Sequence, residues 1–238
     1  MNLIVEIGNT NIKLALFEGR ELKHLWVGRE VDHIWEELKD FKIQNAILSG
    51  SGNTDILWWK EIQAEKKLVF TREMLKNIQY EYRTPQSLGT DRLINAWYAN
   101  LLFQNMDNLV IDTGTCITFT LINNASQLIG GSISPGIALR AHSMHEYTDK
   151  LPLIELDKNR APELIGMDTQ ASLFSGVILG TQFEIEKRIE AYLSLYPNLN
   201  IIMTGGSTQF FENKLNYKIF ADYHFTLKGL NEILLTNE

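Results

Sequence analysis

The chain has 238 residues, of which 45% are hydrophobic and 21% are charged, and its formal net charge is −7. These values are typical of a compact globular protein and exclude a disordered chain, a collagen-like repeat and a coiled coil. The excess of acidic residues argues against nucleic acid as the main partner. No apolar run reaches the roughly 18–20 residues of a membrane-spanning helix, and the N-terminus lacks the basic start of a signal peptide. The single cysteine, Cys116, fits a reducing compartment, so we expect a cytoplasmic protein.

The first hundred residues predict alternating strands and helices. Residues 3–17 predict a β-hairpin, because two apolar runs flank a turn that contains Gly8. Apolar spacing predicts the next elements, which are helices over 31–39 and around residue 58, strands over 45–48 and 68–71, and a longer helix over 88–104. Thr90 or Asp91 is well placed to cap the start of that longer helix.

The second half of the chain repeats the opening pattern of a strand, a glycine turn and a returning strand. Aligning its first strand with the N-terminus places Asp112 under Glu6, an offset of 106 residues. The chain therefore looks like a duplication, and we predict two halves, 1–106 and 107–238. The later predicted elements are a long helix over 172–195, a strand over 200–203 and a third glycine turn at 205–206.

Each of the three glycine turns follows an apolar strand. Glycine lets backbone N–H groups approach phosphate oxygens, and the hydroxyls of Thr10 and Thr115 add donors. The carboxylates of Glu6 and Asp112 are suited to hold a cation beside those oxygens. This combination favours phosphoryl transfer, although any one of the turns, taken alone, fits a simple hairpin corner equally well. The sequence lacks the P-loop motif and the Gly-x-Gly-x2-Gly motif of dinucleotide folds.

Five motifs, taken together and in this order, resemble those of the type III pantothenate kinases. They are 6–13 (EIGNTNIK), 89–96 (GTDRLINA), 111–118 (IDTGTCIT), 131–136 (GSISPG) and 204–206 (TGG). The resemblance implies an α/β fold with two ribonuclease-H-like halves, as in the actin-like ATPases and the acetate and sugar kinases, each a mixed sheet flanked by helices. It implies ATP-dependent phosphorylation of pantothenate to 4′-phosphopantothenate, the first step of coenzyme A biosynthesis (EC 2.7.1.33).

The resemblance also implies roles for individual residues. Asp91 would be the general base that takes the proton from the pantothenate hydroxyl, and Arg92 would be the partner of the pantothenate carboxylate. Asp112 would hold the activating monovalent cation, K⁺ or NH4⁺, and Glu6 would address Mg²⁺. The residues expected to bind ATP are Glu6, Ile7, Gly8, Asn9, Thr10, Asn11, Ile12, Lys13 and Thr115, together with the turn at 205–206. The residues expected to bind pantothenate are Tyr82, Gly89, Thr90, Asp91, Arg92 and Thr169.

The residues alone leave two interpretations of Asp91 open. An aspartate near a helix N-terminus is kept ionised by the helix dipole and by backbone donors, so it is able to accept a proton at neutral pH. The same aspartate in a purely structural role would cap the helix, which is worth roughly 1 kcal/mol. The resemblance favours the catalytic interpretation.

Position 6 departs from the family pattern, which has aspartate there. Glutamate keeps the charge but is one methylene longer, and Mg²⁺ tolerates little change in geometry. A second hypothesis is therefore a nucleotide-binding regulator that kept the fold and has impaired catalysis. A third is a kinase of a different small alcohol. The resemblance further implies a homodimer with its substrate pocket at or near the dimer interface.

Overall fold

The structure is a computed structural model, and it describes residues 1–29, 34–50 and 57–237. The strands are β1 (Asn2–Ile7), β2 (Ile12–Glu18), β3 (Glu21–Gly28), β4 (Asn45–Gly50), β5 (Lys66–Val69), β6 (Gln79–Tyr80), β7 (Asn108–Thr113), β8 (Cys116–Ile122), β9 (Gln127–Pro135), β10 (Asn200–Thr204) and β11 (Phe220–Ala221). The α-helices are α1 (Ile34–Leu38), α2 (Leu57–Glu61), α3 (Thr90–Leu102), α4 (Ile137–Glu146), α5 (Thr169–Leu195) and α6 (Phe225–Thr236). Short 3-10 helices cover Arg72–Met74, Pro85–Ser87 and Thr208–Phe210.

The chain divides into two compact units. The first unit contains the described residues of Met1–Leu102 and His224–Glu238, and the second is Phe103–Tyr223. The predicted halves, 1–106 and 107–238, differ from these units mainly at the C-terminus, because α6 packs with the first unit.

The two units share one strand order. In the first unit it is β3-β2-β1-β4-β5, with β1 antiparallel to β2 and parallel to β4. In the second unit β9-β8-β7-β10-β11 repeats that order, with β7 antiparallel to β8 and parallel to β10. Each is a mixed sheet flanked by helices, which confirms the predicted fold class. The repeat matches the duplication inferred from the 106-residue offset, since β1 carries Glu6 and β7 carries Asp112.

The core of the first unit forms on both faces of β1. Leu3 and Val5 are fully buried in a cluster that includes residues of α1 and α2. Helix α6 packs against α3, β1 and β4. A Cβ at Gly229 would lie 2.8 Å from Cγ2 of Ile94, so a glycine at this position lets α6 lie directly on α3.

The core of the second unit lies between its sheet and helices α4 and α5. Phe119 of β8 is fully buried there against Phe174 and its neighbours on α5. Helix α5 begins at Thr169, three residues before the predicted start at 172, because the Asp168 side chain accepts a hydrogen bond of 2.7 Å from the backbone N–H of Ala171.

In both units, the two central parallel strands each begin with an asparagine. Asn2 of β1 lies opposite Asn45 of β4, and the Asn45 amide donates to Asn2 Oδ1 at 3.2 Å. Asn108 of β7 lies opposite Asn200 of β10, and the Asn200 amide donates to Asn108 Oδ1 at 2.9 Å. Asn2 and Asn108 stand at the same 106-residue offset as Glu6 and Asp112. The duplication therefore extends to a side-chain hydrogen bond at the opposite end of each central strand.

Most of the predicted elements are present with small shifts at their ends. The predicted helix over 31–39 corresponds to α1, with its residues 31–33 outside the described part of the chain. The predicted strand over 68–71 is displaced, because β5 covers Lys66–Val69. The sequence analysis did not predict β3, β6, β9, β11, α4 or α6 as separate elements. Within the described ranges, no helix is both long and apolar enough to span a membrane.

Candidate active site

The first glycine turn joins β1 to β2 and carries an ion pair at its base. Glu6 lies opposite Lys13 in the strand register, and Lys13 Nζ lies 2.8 Å from Glu6 Oε2. The backbone N–H of Gly8 donates to the carbonyl of Asn11 at 3.0 Å, which closes the turn. Residues 8–11 are exposed, so this turn presents backbone and small polar groups to solvent beside a charged pair.

Two predicted ATP-binding residues beside this turn have side chains that pack against the core. Ile7 and Ile12 pair with each other across the strands and pack against the buried cluster of the first unit. Their side chains are thus used in packing, and what they offer a nucleotide is backbone.

The second glycine turn joins β7 to β8. Three residues separate its last strand pair, Thr113 and Ile117, against four between Ile7 and Ile12 in the first turn. The backbone N–H of Gly114 donates to the carbonyl of Cys116 at 3.1 Å. Thr115 is exposed at the tip, and its carbonyl accepts a hydrogen bond from the N–H of Gly136 at 3.0 Å. A Cβ at Gly136 would lie 2.3 Å from the carbonyl oxygen of Gly114. The residue that precedes α4, Gly136, must therefore be glycine for the turn to keep this close packing.

The third glycine turn, after β10, closes over the carboxylate of Asp112. Gly205 has φ +97°, and a Cβ on it would lie 2.4 Å from Asp112 Oδ1. A Cβ on Gly114 would lie 3.3 Å from the same oxygen. The Thr113 hydroxyl, fully buried, donates to the carbonyl of Thr204 at 2.9 Å and fixes the two strand ends together. Asp112 Oδ1 thus lies close to both Gly114 and Gly205, where a side chain would crowd it.

A charged network supports the segment that precedes α4. Arg140 donates from Nε to the carbonyl of Pro135 at 2.8 Å and also bonds Glu184 of α5. Arg188 donates from Nε to Glu184 Oε1 at 3.0 Å. Burial raises the pKa of the Glu184 carboxyl, but the hydrogen bonds from Arg140 and Arg188 outweigh burial, so the pKa lies below its ordinary value of 4.5.

The predicted catalytic motif lies at the start of α3. The backbone N–H of Leu93 donates to the carbonyl of Gly89 at 3.1 Å, so Thr90 and Asp91 lie in the first turn of the helix. A Cβ at Gly89 would lie 2.4 Å from Asp91 Oδ1. Because glycine leaves that space open, the half-buried carboxylate folds back over the positive end of the helix dipole.

Two predicted pantothenate contacts meet beside this motif. Arg92 is 4% exposed, and its guanidinium carbon lies 5.8 Å from the centre of the Tyr82 ring. This distance is within the range of a cation–π contact. The planar guanidinium next to the aromatic ring suits the recognition of a carboxylate.

Thr169 lies in the second unit, at the exposed first turn of α5. A cavity of about 520 Å³ opens there between the end of α4 and the start of α5. Its lining consists of Met144, Leu151, Gly166, Met167, Asp168, Thr169, Ser172, Leu173 and Gly176. The lining combines apolar side chains with a few polar groups, as in small-molecule sites.

The structure thus divides the predicted site residues into five groups. Glu6 contacts Lys13, Arg92 contacts Tyr82, and Asp91 lies on Gly89. Asp112 lies between the glycines of the second and third turns, and Thr169 lines the cavity. Sequence reasoning missed the contact of Arg72 with the segment before Gly89, because those partners are backbone carbonyls 13 to 16 residues away.

The family model for type III pantothenate kinases matches residues 2–191. The chain belongs to this family. The type III pantothenate kinase of Cytophaga hutchinsonii is 36% identical over 239 residues, with 100% of both chains covered. That of Flavobacterium johnsoniae is also 36% identical over 239 residues, covering 98% of this chain and 96% of the relative. Type III pantothenate kinases phosphorylate pantothenate for coenzyme A biosynthesis.

Solved structures show that this pantothenate kinase family member shares a wider fold. A Campylobacter jejuni protein, described as a proposed Baf family transcriptional activator, matches with a TM-score of 0.64 at 21% identity, covering 99% of this chain and 98% of that chain. A Sinorhizobium meliloti protein, described as a proposed 2-dehydro-3-deoxygalactonokinase, matches with a TM-score of 0.56 at 11% identity. The match covers 100% of this chain and 99% of that chain. Likeness at these identities shows the fold alone.

Proposed function

We propose that this chain transfers the γ-phosphoryl group of ATP to the primary hydroxyl of pantothenate, giving 4′-phosphopantothenate and ADP. The observation that carries the proposal is its full-length match to the type III pantothenate kinases, with the GTDR motif at the start of α3. In the reaction, the hydroxyl oxygen bonds to the γ-phosphorus while the bond from that phosphorus to the β–γ bridging oxygen breaks. ADP leaves with the electron pair of the broken bond.

Asp91 is the general base of this proposal. Its carboxylate lies in the first turn of α3, and in this proposal it accepts the proton of the substrate hydroxyl. Gly89 supports this role because the carboxylate packs against it, in a position that a Cβ at residue 89 would block. General bases contribute about 10²–10⁴-fold to such reactions, and positioning of the phosphoryl group supplies much of the rest.

Pantothenate is held by the groups around Asp91 and by Thr169. Arg92 pairs with the pantothenate carboxylate, and Tyr82 orients the guanidinium through the ring contact. Gly89 and Thr90 supply backbone and hydroxyl groups to the same substrate. The Thr169 hydroxyl adds a polar contact in a cavity that is otherwise partly apolar.

ATP is bound by the three glycine turns. The first turn, residues 6–13, and Thr115 of the second turn donate to phosphate oxygens, and the turn at 205–206 receives the nucleotide. Within the described residues, no three His, Cys, Asp or Glu side chains form a metal-binding group. In many kinases Mg²⁺ is held by one or two carboxylates together with substrate phosphates. Glu6 fits that role, and the ion, when bound, would neutralise charge on the transferred phosphoryl group.

Asp112 fits a monovalent cation, K⁺ or NH4⁺. Its carboxylate packs against Gly205, where a Cβ would clash with Oδ1, so the choice of glycine at 205 determines where this carboxylate can lie. A carboxylate oxygen is a suitable ligand for such a hard cation. The cation, when bound, would add positive charge next to the phosphate-binding turns.

A homodimer is part of the proposal, because the second unit exposes large apolar side chains near the cavity. Tyr147 is 85% exposed, Leu164 75% and Met167 86%, and Met167 lines the cavity together with Thr169. Exposed apolar patches of this kind mark interaction sites. A second copy of the chain would cover them, and Met167→Glu should then yield monomers in light scattering.

The single cysteine supports a cytoplasmic enzyme.

The test is a direct assay for product. Purified protein is incubated with ATP, Mg²⁺ and pantothenate, once with K⁺ and once with Na⁺, and 4′-phosphopantothenate is measured by mass spectrometry. We expect pantothenate-dependent turnover that needs K⁺ and falls about 10²–10⁴-fold in Asp91→Asn. Asp107→Asn is the matched control, since the Asp107 side chain accepts a hydrogen bond of 2.9 Å from the backbone N–H of Asn124 in a loop of the second unit, whereas the motif belongs to the first unit. Folded protein without turnover in either salt would refute the kinase.

A further inference from the structure

Arg72 binds the chain segment that leads into the catalytic motif. It is a half-buried residue that begins the 3-10 helix Arg72–Met74, just after β5. Its guanidinium donates to the backbone carbonyls of Pro85, Gln86 and Leu88, with the bond from Nη2 to Gln86 at 3.2 Å. One side chain thus satisfies three carbonyls around a single turn of the 3-10 helix Pro85–Ser87.

Only arginine suits this arrangement. The guanidinium is planar and carries five N–H donors in a fixed fork, so it can bond several carbonyls that point toward one place. Lysine offers a point charge at the end of a flexible chain, and glutamine offers two donors. The last carbonyls of a helix have no partner within the helix, so the hydrogen bonds from Arg72 add to the one that Pro85 accepts from the Leu88 N–H and help to fix this segment.

A short covalent path links the bound segment to Asp91. Leu88 ends the 3-10 helix, with its N–H donating to the carbonyl of Pro85 at 3.2 Å, and Arg72 holds the Leu88 carbonyl itself. The next residue, Gly89, accepts the first hydrogen bond of α3 and lies directly under the Asp91 carboxylate. A displacement of Leu88 would therefore move both the helix start and the carboxylate.

We propose that Arg72 is a positioning residue for the phosphoryl-transfer reaction, acting through residues 85–89 on Asp91. The inference rests on the proposed role of Asp91 as general base. Misplacement of a catalytic group by about 1 Å costs up to about 10²-fold in rate. Loss of the three hydrogen bonds should therefore lower kcat about 10- to 100-fold, while the KM for ATP stays within about twofold.

The experiment compares Arg72→Gln and Arg72→Lys with Arg20→Gln in the full-length protein. Arg20 is also in the first unit and also makes paired hydrogen bonds, from Nε and Nη2 at 2.8 and 2.6 Å, but its partner is Glu232 on α6 and not the segment that leads into the motif. We expect all three variants to lose thermal stability, and only the Arg72 variants to lose kcat. Arg72→Lys should keep more activity than Arg72→Gln. In a further variant, Arg72→Ala, guanidinium added at low millimolar concentration should partly restore kcat.

A double-mutant comparison separates this inference from the role of Asp91. If Arg72 acts through Asp91, Arg72→Gln should lower the residual rate of Asp91→Asn by less than about twofold. A kcat for Arg72→Gln equal to that of Arg20→Gln, with Asp91→Asn inactive, would overturn the inference and leave the base assignment intact. The inference would also be overturned if each single change lowered kcat and the double variant showed the product of the two fold-losses. An active Asp91→Asn would instead refute the base, and with it the path from Arg72.

Discussion

Gly205 lies directly over the carboxylate of Asp112, so that a Cβ at position 205 would stand 2.4 Å from Asp112 Oδ1. The same Cβ would lie 2.7 Å from the Thr113 backbone, and the residue has φ +97°, a conformation that other residues adopt only with strain. We predict that Gly205→Ala lowers the free energy of unfolding by roughly 2–4 kcal/mol and weakens activation by K⁺. Urea denaturation and the K⁺ dependence of turnover measure the two effects.

Gly206→Ala is the control for stability. A Cβ at Gly206 would meet nothing within 4 Å, so this variant should unfold within about 0.5 kcal/mol of the parent. Equal destabilisation by the two variants would show that the strain belongs to the turn as a whole and not to the contact with Asp112.

Arg92 and Tyr82 should control the affinity for pantothenate and not that for ATP. Arg92→Lys keeps the charge but loses the planar fork that binds a carboxylate through two hydrogen bonds. We predict a KM for pantothenate raised about 10- to 100-fold, equivalent to roughly 1.4–2.8 kcal/mol, with the KM for ATP unchanged. Steady-state kinetics with each substrate varied in turn gives both values. Arg83→Lys, at an exposed neighbouring position, should change neither, and an equal rise in both KM values would contradict the assignment.

Glu6 should act through its charge. Glu6→Gln removes the charge that faces Lys13 at 2.8 Å and that is proposed to address Mg²⁺, so we predict a kcat at least about 10-fold lower and a higher Mg²⁺ requirement. Glu6→Asp should remain active, because aspartate is the residue of the family pattern. Mg²⁺ titrations of turnover test this, with Glu18→Gln, at the exposed end of β2, as control.

The same pair of variants addresses the regulator hypothesis. If the wild-type chain, shown to be folded, gave no turnover and Glu6→Asp gave none either, the regulator would be favoured over the kinase. Gain of activity in Glu6→Asp alone would identify the longer side chain as the cause of the loss.

Glu184 should make the free energy of unfolding depend on pH in the acidic range. Its pKa is lower in the folded protein than the ordinary 4.5, because the hydrogen bonds from Arg140 and Arg188 outweigh its burial. A carboxyl of this kind stabilises the fold above its unfolded pKa, and that contribution is lost as the pH falls through the folded pKa. We predict that Glu184→Gln costs about 1–2 kcal/mol at pH 7 and that the difference from wild type shrinks below pH 4.5.

Thermal or urea unfolding across pH 3–8 measures this difference, within the range where both proteins fold. Glu190→Gln is the matched control on the same helix, since its ion pair with Lys187 is exposed and should contribute at most about 0.5–1 kcal/mol. A constant difference between wild type and Glu184→Gln from pH 7 to pH 3 would contradict the predicted charge effect.

The strands and turns that carry the phosphate-binding motifs were predictable because their signals are local. An apolar run followed by Gly8 or Gly114 specifies a strand and a tight turn within about ten residues. The single-residue difference in length between the two turns follows from their hydrogen bonds, from Gly8 to Asn11 and from Gly114 to Cys116. By contrast, β9 and α6 gave no decisive local signal, and the place of α6 depends on Gly229 fitting against Ile94.

The sequence by itself determined the duplication, the three glycine turns, the position of Asp91 at a helix start and the family, because each is written in residues close together in the chain. The tertiary structure decided which groups meet across long separations. Arg72 reaches Pro85, Gly205 reaches Asp112, and α6 returns to the first unit. Those contacts depend on the packing of whole sheets and helices, and on carbonyl groups that every residue possesses, so no pattern of side chains predicts them.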